Sequence, residues 1–406
     1  MLALGVGRLK STILVVLPYR RRNETECRSH EVGHCQTASS HPIENRIGGQ
    51  YSRFCFGLLC CHTPQCGVSN WDTVFPRKNW MHIPDGSLSV TVSAATGALA
   101  IGAVGLSLRQ IQDRLADRVV PLTGMMSAMI FAGQMVNFPL PGVPVSGHLI
   151  GGVLAAAVLG PWAGCLAITS VLLVQWALFC DGGMLALGAN VLNMAVCGAW
   201  GGFAVYTAMR RVVGTGLKGT VASAVVASWL SVMAAACLFC VEFGMSWSRA
   251  DLSLGNIFAL IVSYHAVIGL GEALITGAVI SFVWSHRPDL LQGGDGAKTH
   301  VASEVGRFVT AGLATSIAIA AFLAPFASEH PDGLEAVAEQ TGISQLATTP
   351  SALLLEDYEI PAISQMGWQR LSVSLAGIGG TAAVVLLAGS LGAVLRRPAI
   401  SAADDD

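Results

Sequence analysis

The stretch IFALIVSYHAVIGLGEALITGAVISFVW, residues 257–284, carries one charged side chain, Glu272, in a run otherwise apolar or weakly polar. A soluble helix would show polar residues on one face at the 3.6-residue period. This run shows none, and it exceeds the roughly 20 apolar residues that cross a bilayer. It is read as a membrane-spanning helix, and the same test applied outward finds similar runs from Ser87 onward. The expected spans are Ser87–Leu108, Val119–Phe138, Gly147–Leu159, Trp162–Phe179, Leu185–Met209, Thr220–Phe243, Ile257–Trp284, Val309–Phe326 and Leu371–Leu395. The third is short for a complete crossing and needs help from the residues before it. An all-α integral membrane protein follows. Composition agrees: of 406 residues, 53% are hydrophobic and 12% charged, against about 25% charged in an ordinary soluble domain.

The net charge of −2 hides two unlike pieces. Residues 1–80 hold ten Lys/Arg against five acids and six of the eleven cysteines. They lack helical or strand periodicity, and their apolar run Ile13–Leu17 is too short for a span or a signal-peptide core. Cys60, Cys61, His62 and Cys66 lack the paired CxxC spacing of a zinc site, so a segment without a role is the plainer reading.

Basic residues orient the remainder, because short cytoplasmic loops are enriched in Lys and Arg. Arg109, Arg114 and Arg118 follow the first span; Arg210, Arg211 and Lys218 the fifth; Arg287, Lys298 and Arg307 the seventh; Arg396 and Arg397 the ninth. These loops are expected in the cytoplasm with the C-terminus, and Met81 outside. The outer loop Ala327–Arg370 carries Glu329, Asp332, Glu335, Glu339, Glu356, Asp357 and Glu359, and reads as a solvated acidic segment.

His82 and His148 both fall on the outer side, and imidazole suits nickel, cobalt, copper and zinc. A lone histidine in a bundle is more often a satisfied hydrogen-bonding residue; two on the face where an ion arrives point to capture. If the chain starts at Met81, its α-amine, the His82 amide nitrogen and the His82 imidazole form adjacent five- and six-membered chelate rings. His148 would close a square of four nitrogens, a geometry that suits Ni(II) and Cu(II). His is too large a second residue for efficient removal of Met81. An 80-residue extension would block the amine, so residues 1–80 are expected to be a misassigned start or to be cleaved.

Weaker candidates surround this set. His265 and Glu272 lie seven residues apart on one face of a helix, and a carboxylate within lipid is functional by default, either orienting a ligand or contacting a coupling subunit; a helix-to-helix hydrogen bond is the plain alternative. Asn137, Asn190 and Asn193 could fix histidine tautomers through outer hydrogen bonds, or glue helices together. The pair Cys237 and Cys240, and Met125, Met126, Met129 and Met135, read as apolar packing.

Several motifs in order resemble the CbiM/NikM substrate-capture components of energy-coupling-factor nickel and cobalt transporters. These are Met81–Gly86 (MHIPDG), Phe131–Pro139 (FAGQMVNFP), Ser146–Gly152 (SGHLIGG), Gly160–Gly164 (GPWAG), Asp181–Gly183 with Leu187–Met194, and His265–Thr276. The resemblance implies a seven-helix core over residues 81–290, with Met81, His82 and His148 as metal ligands. His330–Glu335 (HPDGLE) and the last two spans, residues 300–397, resemble the small two-helix NikN-like (PDGLE) partner that some members carry fused; 398–406 is an acidic tail. The implied cargo is a nickel or cobalt ion, and the metal does not announce itself. The implied partners are a CbiQ/NikQ-like transmembrane coupling subunit and CbiO/NikO-like ATPases, in the plasma (inner) membrane.

No Walker motif is present, so ATP hydrolysis is assigned to separate proteins and the chain is not expected to be an enzyme. A membrane-embedded metal-dependent hydrolase would need a metal-bound water beside a base, as in HExxH; an ion-coupled secondary transporter would need paired broken helices and an inverted repeat. Neither signature appears.

Overall fold

The computed structural model describes residues 81–112, 119–247, 253–292, 302–348 and 355–395. The expectations for residues 1–80 and the acidic tail lie outside the described residues.

The helices are α1 (Val90–Gln112), α2 (Val119–Gln134), α3 (Gly152–Leu159), α4 (Pro161–Phe179), α5 (Leu187–Val213), α6 (Leu217–Ser246), α7 (Leu254–His286), α8 (Ala302–Ala318), α9 (Gly333–Thr341) and α10 (Gln369–Leu395). Among the described residues, seven helices are long and apolar enough to cross a membrane: α1, α4, α5, α6, α7, α8 with its continuation to Phe326, and α10. Helix α2 is apolar but shorter. The protein is therefore a multi-pass helical membrane protein, as the apolar runs required. Leu99, Ile101, Leu274 and Leu386 stand more than half exposed on its outside, where lipid is the natural neighbour.

The third expected span is corrected. Only Gly152–Leu159 is helical, about 12 Å of rise against a hydrocarbon core of about 30 Å. The preceding Ser146–Gly147 pairs antiparallel with Phe138–Pro139, and the chain stays non-helical to Gly151 before α3 begins. Non-helical backbone at membrane depth is tolerated only where protein satisfies its polar groups. Here Glu272, wholly buried on α7, accepts from the amides of Ile150 (2.7 Å) and Gly151 (2.9 Å). A carboxyl group at a helix N-terminus also faces the favourable end of the dipole. Glu272 thus anchors the turn immediately after His148; with no exposure, it has no surface to offer a coupling subunit.

Helix α6 lies along α7, and α10 packs on α2 and α4, which brings the C-terminal helices onto the core. Small residues make these approaches possible. A Cβ on Gly152 would stand 2.6 Å from the Gly198 carbonyl carbon, so α3 and α5 meet backbone to backbone. Gly152→Val is expected to destabilise the fold by about 1–3 kcal/mol or more, because neither backbone can retreat; a thermal melt in detergent measures it. Helix α5 contains a π-helical stretch, Val191–Gly201, a feature often found beside functional sites. The methionines and cysteines read as packing behave so in part: Met125, Met126, Met135 and Cys240 are buried, while Cys237 is exposed.

The expectation for the acidic loop Ala327–Arg370 is corrected as well. The loop is not uniformly solvated: Asp332 caps α9 by accepting from the Glu335 amide (2.7 Å), and Asp332 and Glu335 are buried at 4% and 6% exposure. The cap and the packing of α9 on α7 draw these acids inward. Burial raises the carboxyls of Asp332 to about 7 and Glu335 to about 8.

Candidate metal centre

The segment Met81–Ile83 is held by main-chain recognition. Asn190 accepts from the Ile83 amide (3.0 Å) and donates to the Ile83 carbonyl (3.1 Å), and the Gly183 amide donates to the same carbonyl (2.9 Å). Asp85 accepts from the amides of Met184, Leu185 and Ala186, fastening the next turn to the loop before α5. His82 is carried inward to 2% exposure.

Asp181 organises what this segment presents. Cys180, in the left-handed region at φ 56°, ends α4 and turns the chain so that Asp181 faces inward. Its Oδ1 accepts from the Met81 amide at 2.8 Å and the His82 amide at 3.2 Å, and its Oδ2 stands 2.9 Å from His82 Nδ1. The last approach lies off the line of a ring hydrogen bond, so neither ring nitrogen of His82 has an aligned partner. Burial works to raise the Asp181 carboxyl, but His82 beside it, with the Tyr358 hydroxyl, holds it below the usual carboxylate range. Three nitrogens on two consecutive residues therefore converge on one carboxylate, in the sequence of a five- and a six-membered chelate ring.

His148 lies across from them, its ring 5.8 Å from that of His82. Its Nδ1 is 3.2 Å from the Leu149 carbonyl, which can only accept, so Nδ1 carries the proton and Nε2 keeps its lone pair. Burial, then the neighbouring His82, lowers the His148 ring to about 4, leaving it neutral at pH 7 as a metal ligand must be. His265 shows the same tautomer, with Nδ1 2.8 Å from the Ile261 carbonyl. The three histidines line one cavity of about 80 Å³ together with Asn193, Asp332 and Met81, room for an ion and a few waters. Among the described residues no three His, Cys, Asp or Glu side chains are already gathered at metal-binding distance.

The structure thus brings together Met81, His82, His148 and His265, with Glu272 and Asn190 as their fasteners. Asn190 acts on the backbone of Ile83 rather than on a histidine ring, and Asn193 donates to Glu242 (2.9 Å). Asn137 lines a larger cavity on the other side of Met81, which borders both. A carboxylate, not an amide, stands beside the His82 ring. Asp181 was legible as an acid directly after an apolar helix and before two glycines; Asp332 and Tyr358, whose hydroxyl donates to Asp181 Oδ2 at 2.7 Å, come from far along the chain and gave no local sign.

Fold and cavity together define a multi-pass membrane protein with a buried pocket of imidazoles and carboxylates at one end of its helices. Residues 82–290 match the family model of the cobalt uptake substrate-specific transmembrane region, CbiM, and residues 306–397 match the PDGLE domain. The chain belongs to the CbiM family, with a PDGLE domain fused behind it. It is 34% identical over 310 residues to a chain of Archaeoglobus fulgidus assigned as a fused nickel transport protein, covering 76% of this chain and 96% of that one. It is also 34% identical over 223 residues to the fused nickel transport protein NikMN of Rhodobacter capsulatus, covering 52% of this chain and 64% of that one. A truncated transition metal transporter of known structure is 32% identical, with a TM-score of 0.45, over 51% of this chain and 99% of that one.

Proposed function

We propose that this chain captures a nickel or cobalt ion at the outer face of the membrane and passes it inward as the metal-binding subunit of an ATP-driven importer. The convergence of Met81 N, His82 N and His82 Nδ1 on a single carboxylate, with the His148 ring 5.8 Å from that of His82, carries this reading. In a chain whose first residue is Met81, the first of these nitrogens is an amine, and four nitrogens close a square that favours Ni(II). Ligation by an amide nitrogen releases a proton, and Asp181 Oδ1 is the acceptor beside it.

Sidedness follows the basic loops: the pocket faces outward and the C-terminus lies in the cytoplasm. Residues 81–290 form the capture core and 300–397 the fused two-helix partner. A transmembrane coupling subunit and ATPase subunits supply the motor.

The test is mass spectrometry of the N-terminus of the membrane-inserted protein, metal analysis of the same sample, and uptake in vesicles with candidate coupling and ATPase subunits. The expected result is a free Met81 amine, about one nickel or cobalt ion per chain, and uptake that requires ATP. Tight binding by a chain that continues upstream of Met81 would remove the amine from the ligand set; uptake without ATP would sink the importer reading.

A further inference from the structure

The C-terminal domain reaches into the capture pocket at two points. Asp332 Oδ2 stands 3.6 Å from His148 Nε2, and the Ser146 hydroxyl and amide both donate to the loop before it, at the His330 carbonyl (2.8 Å) and the Pro331 carbonyl (2.8 Å) respectively. At the other point the Tyr358 hydroxyl donates to Asp181 Oδ2 at 2.7 Å, on the oxygen that faces His82 Nδ1.

Tyr358 is not there by accident of a loose loop. Its ring stacks on Phe179 at the end of α4, centroids 4.5 Å apart and 18° between planes, and the Leu355 amide donates to the Leu178 carbonyl (3.1 Å). Asp357 and Tyr358 both take the left-handed region, φ 56° and 59°, which side chains other than glycine seldom adopt. The surrounding packing holds this pair in an uncommon conformation, and the hydroxyl meets Asp181 as a result.

Among the described residues, Asp181 is the group that touches the Met81 nitrogen, the His82 amide and the His82 ring. A carboxylate that accepts from two nitrogens and stands beside a third keeps its direction only if its own position is fixed, and the hydroxyl of Tyr358 donates to the oxygen nearest the third. Resting on the capture reading above, we propose that Tyr358 is a positioning residue for ion capture: it holds Asp181 in register with the chelating nitrogens, so that the C-terminal domain is a working part of the metal pocket.

Tyr358→Phe in the full chain tests this, since the ring and its stacking on Phe179 are kept and only the hydroxyl is lost, with its contacts to Asp181 and Gln175. Nickel release, the ligand-field absorption of bound nickel and the melting temperature are measured. Tyr264→Phe is the control, because that hydroxyl joins α7 to Gln340 of the C-terminal domain (3.1 Å) without touching Asp181. The expected result is release about 10-fold faster for Y358F, the lower end of what outer hydrogen-bond partners contribute, with a shifted absorption band and an unchanged melting temperature. Y264F is expected to match the parent. Parent-like release and spectrum in Y358F, or equal losses in both variants with an unchanged spectrum, would overturn the proposal. A parent protein that binds neither nickel nor cobalt would instead overturn the capture reading beneath it.

Discussion

His148→Ala is expected to abolish nickel retention through purification, while His265→Ala retains a measurable fraction. The reason lies in where each ring stands. The His148 ring lies across the cavity from the Met81–His82 segment, 5.8 Å from the His82 ring, on a backbone fixed by Glu272 on one side and by Ser146 on the other. Loss of an outer hydrogen-bond partner costs about 10–100-fold in metal affinity, and loss of a ligand costs more. The alanine variant leaves the Ile150 and Gly151 amides bonded, so the fold survives. Isothermal titration with nickel chloride in detergent reads the outcome; a dissociation constant within a few-fold of the parent would remove His148 from the ligand set.

The second large effect is expected at Glu272. Replacing it with alanine leaves the amides of Ile150 and Gly151 without acceptors inside the bundle, at about 1–3 kcal/mol each, and opens a cavity besides. The turn that presents His148 then loosens. Both the melting temperature and nickel binding are expected to fall, in contrast to His148→Ala, where binding alone is lost. Glu272→Gln keeps one acceptor but presents an NH₂ to the other amide, so it is expected to fall between. A melting temperature unchanged in both variants would show that α3 starts without help from α7.

These two expectations divide along the line between what was legible early and what was not. His82 and His148 declare themselves in the chain: a histidine directly after a methionine that leads into an apolar span, and another in Ser-Gly-His at the head of a short one. Glu272 was visible as a carboxylate within lipid, but its partners were not, since they are backbone amides more than 120 residues earlier. The shortness of Gly147–Leu159 was visible too. That the deficit is met by a non-helical stretch, tied by Glu272 and the paired Ser146–Gly147, needed the tertiary structure.

Asp332 shows the opposite case. As one of seven acids in a loop it reads as solvated, because sequence gives a carboxylate no reason to leave water. It does so by capping α9, a contact three residues along the chain, and by facing His148, a contact made only when the C-terminal domain folds over the core. Asn190 is intermediate: a polar residue in an apolar helix announces a hydrogen bond but not its partner, which proved to be the backbone of Ile83.

By itself, then, the sequence determined that this chain is a helical membrane protein and roughly where its spans run, and it singled out two histidines as candidates for binding a transition metal. Those features follow from local composition, because lipid demands long apolar helices whatever their neighbours. Only the tertiary structure decided that Asp181 gathers the nitrogens of Met81 and His82, that Glu272 holds the His148 turn, and that Asp332 and Tyr358 reach in from the C-terminal domain. Hydrogen bonds and ion contacts depend on direction and on distances of about 3 Å, and those are fixed by packing between segments that lie a hundred residues or more apart.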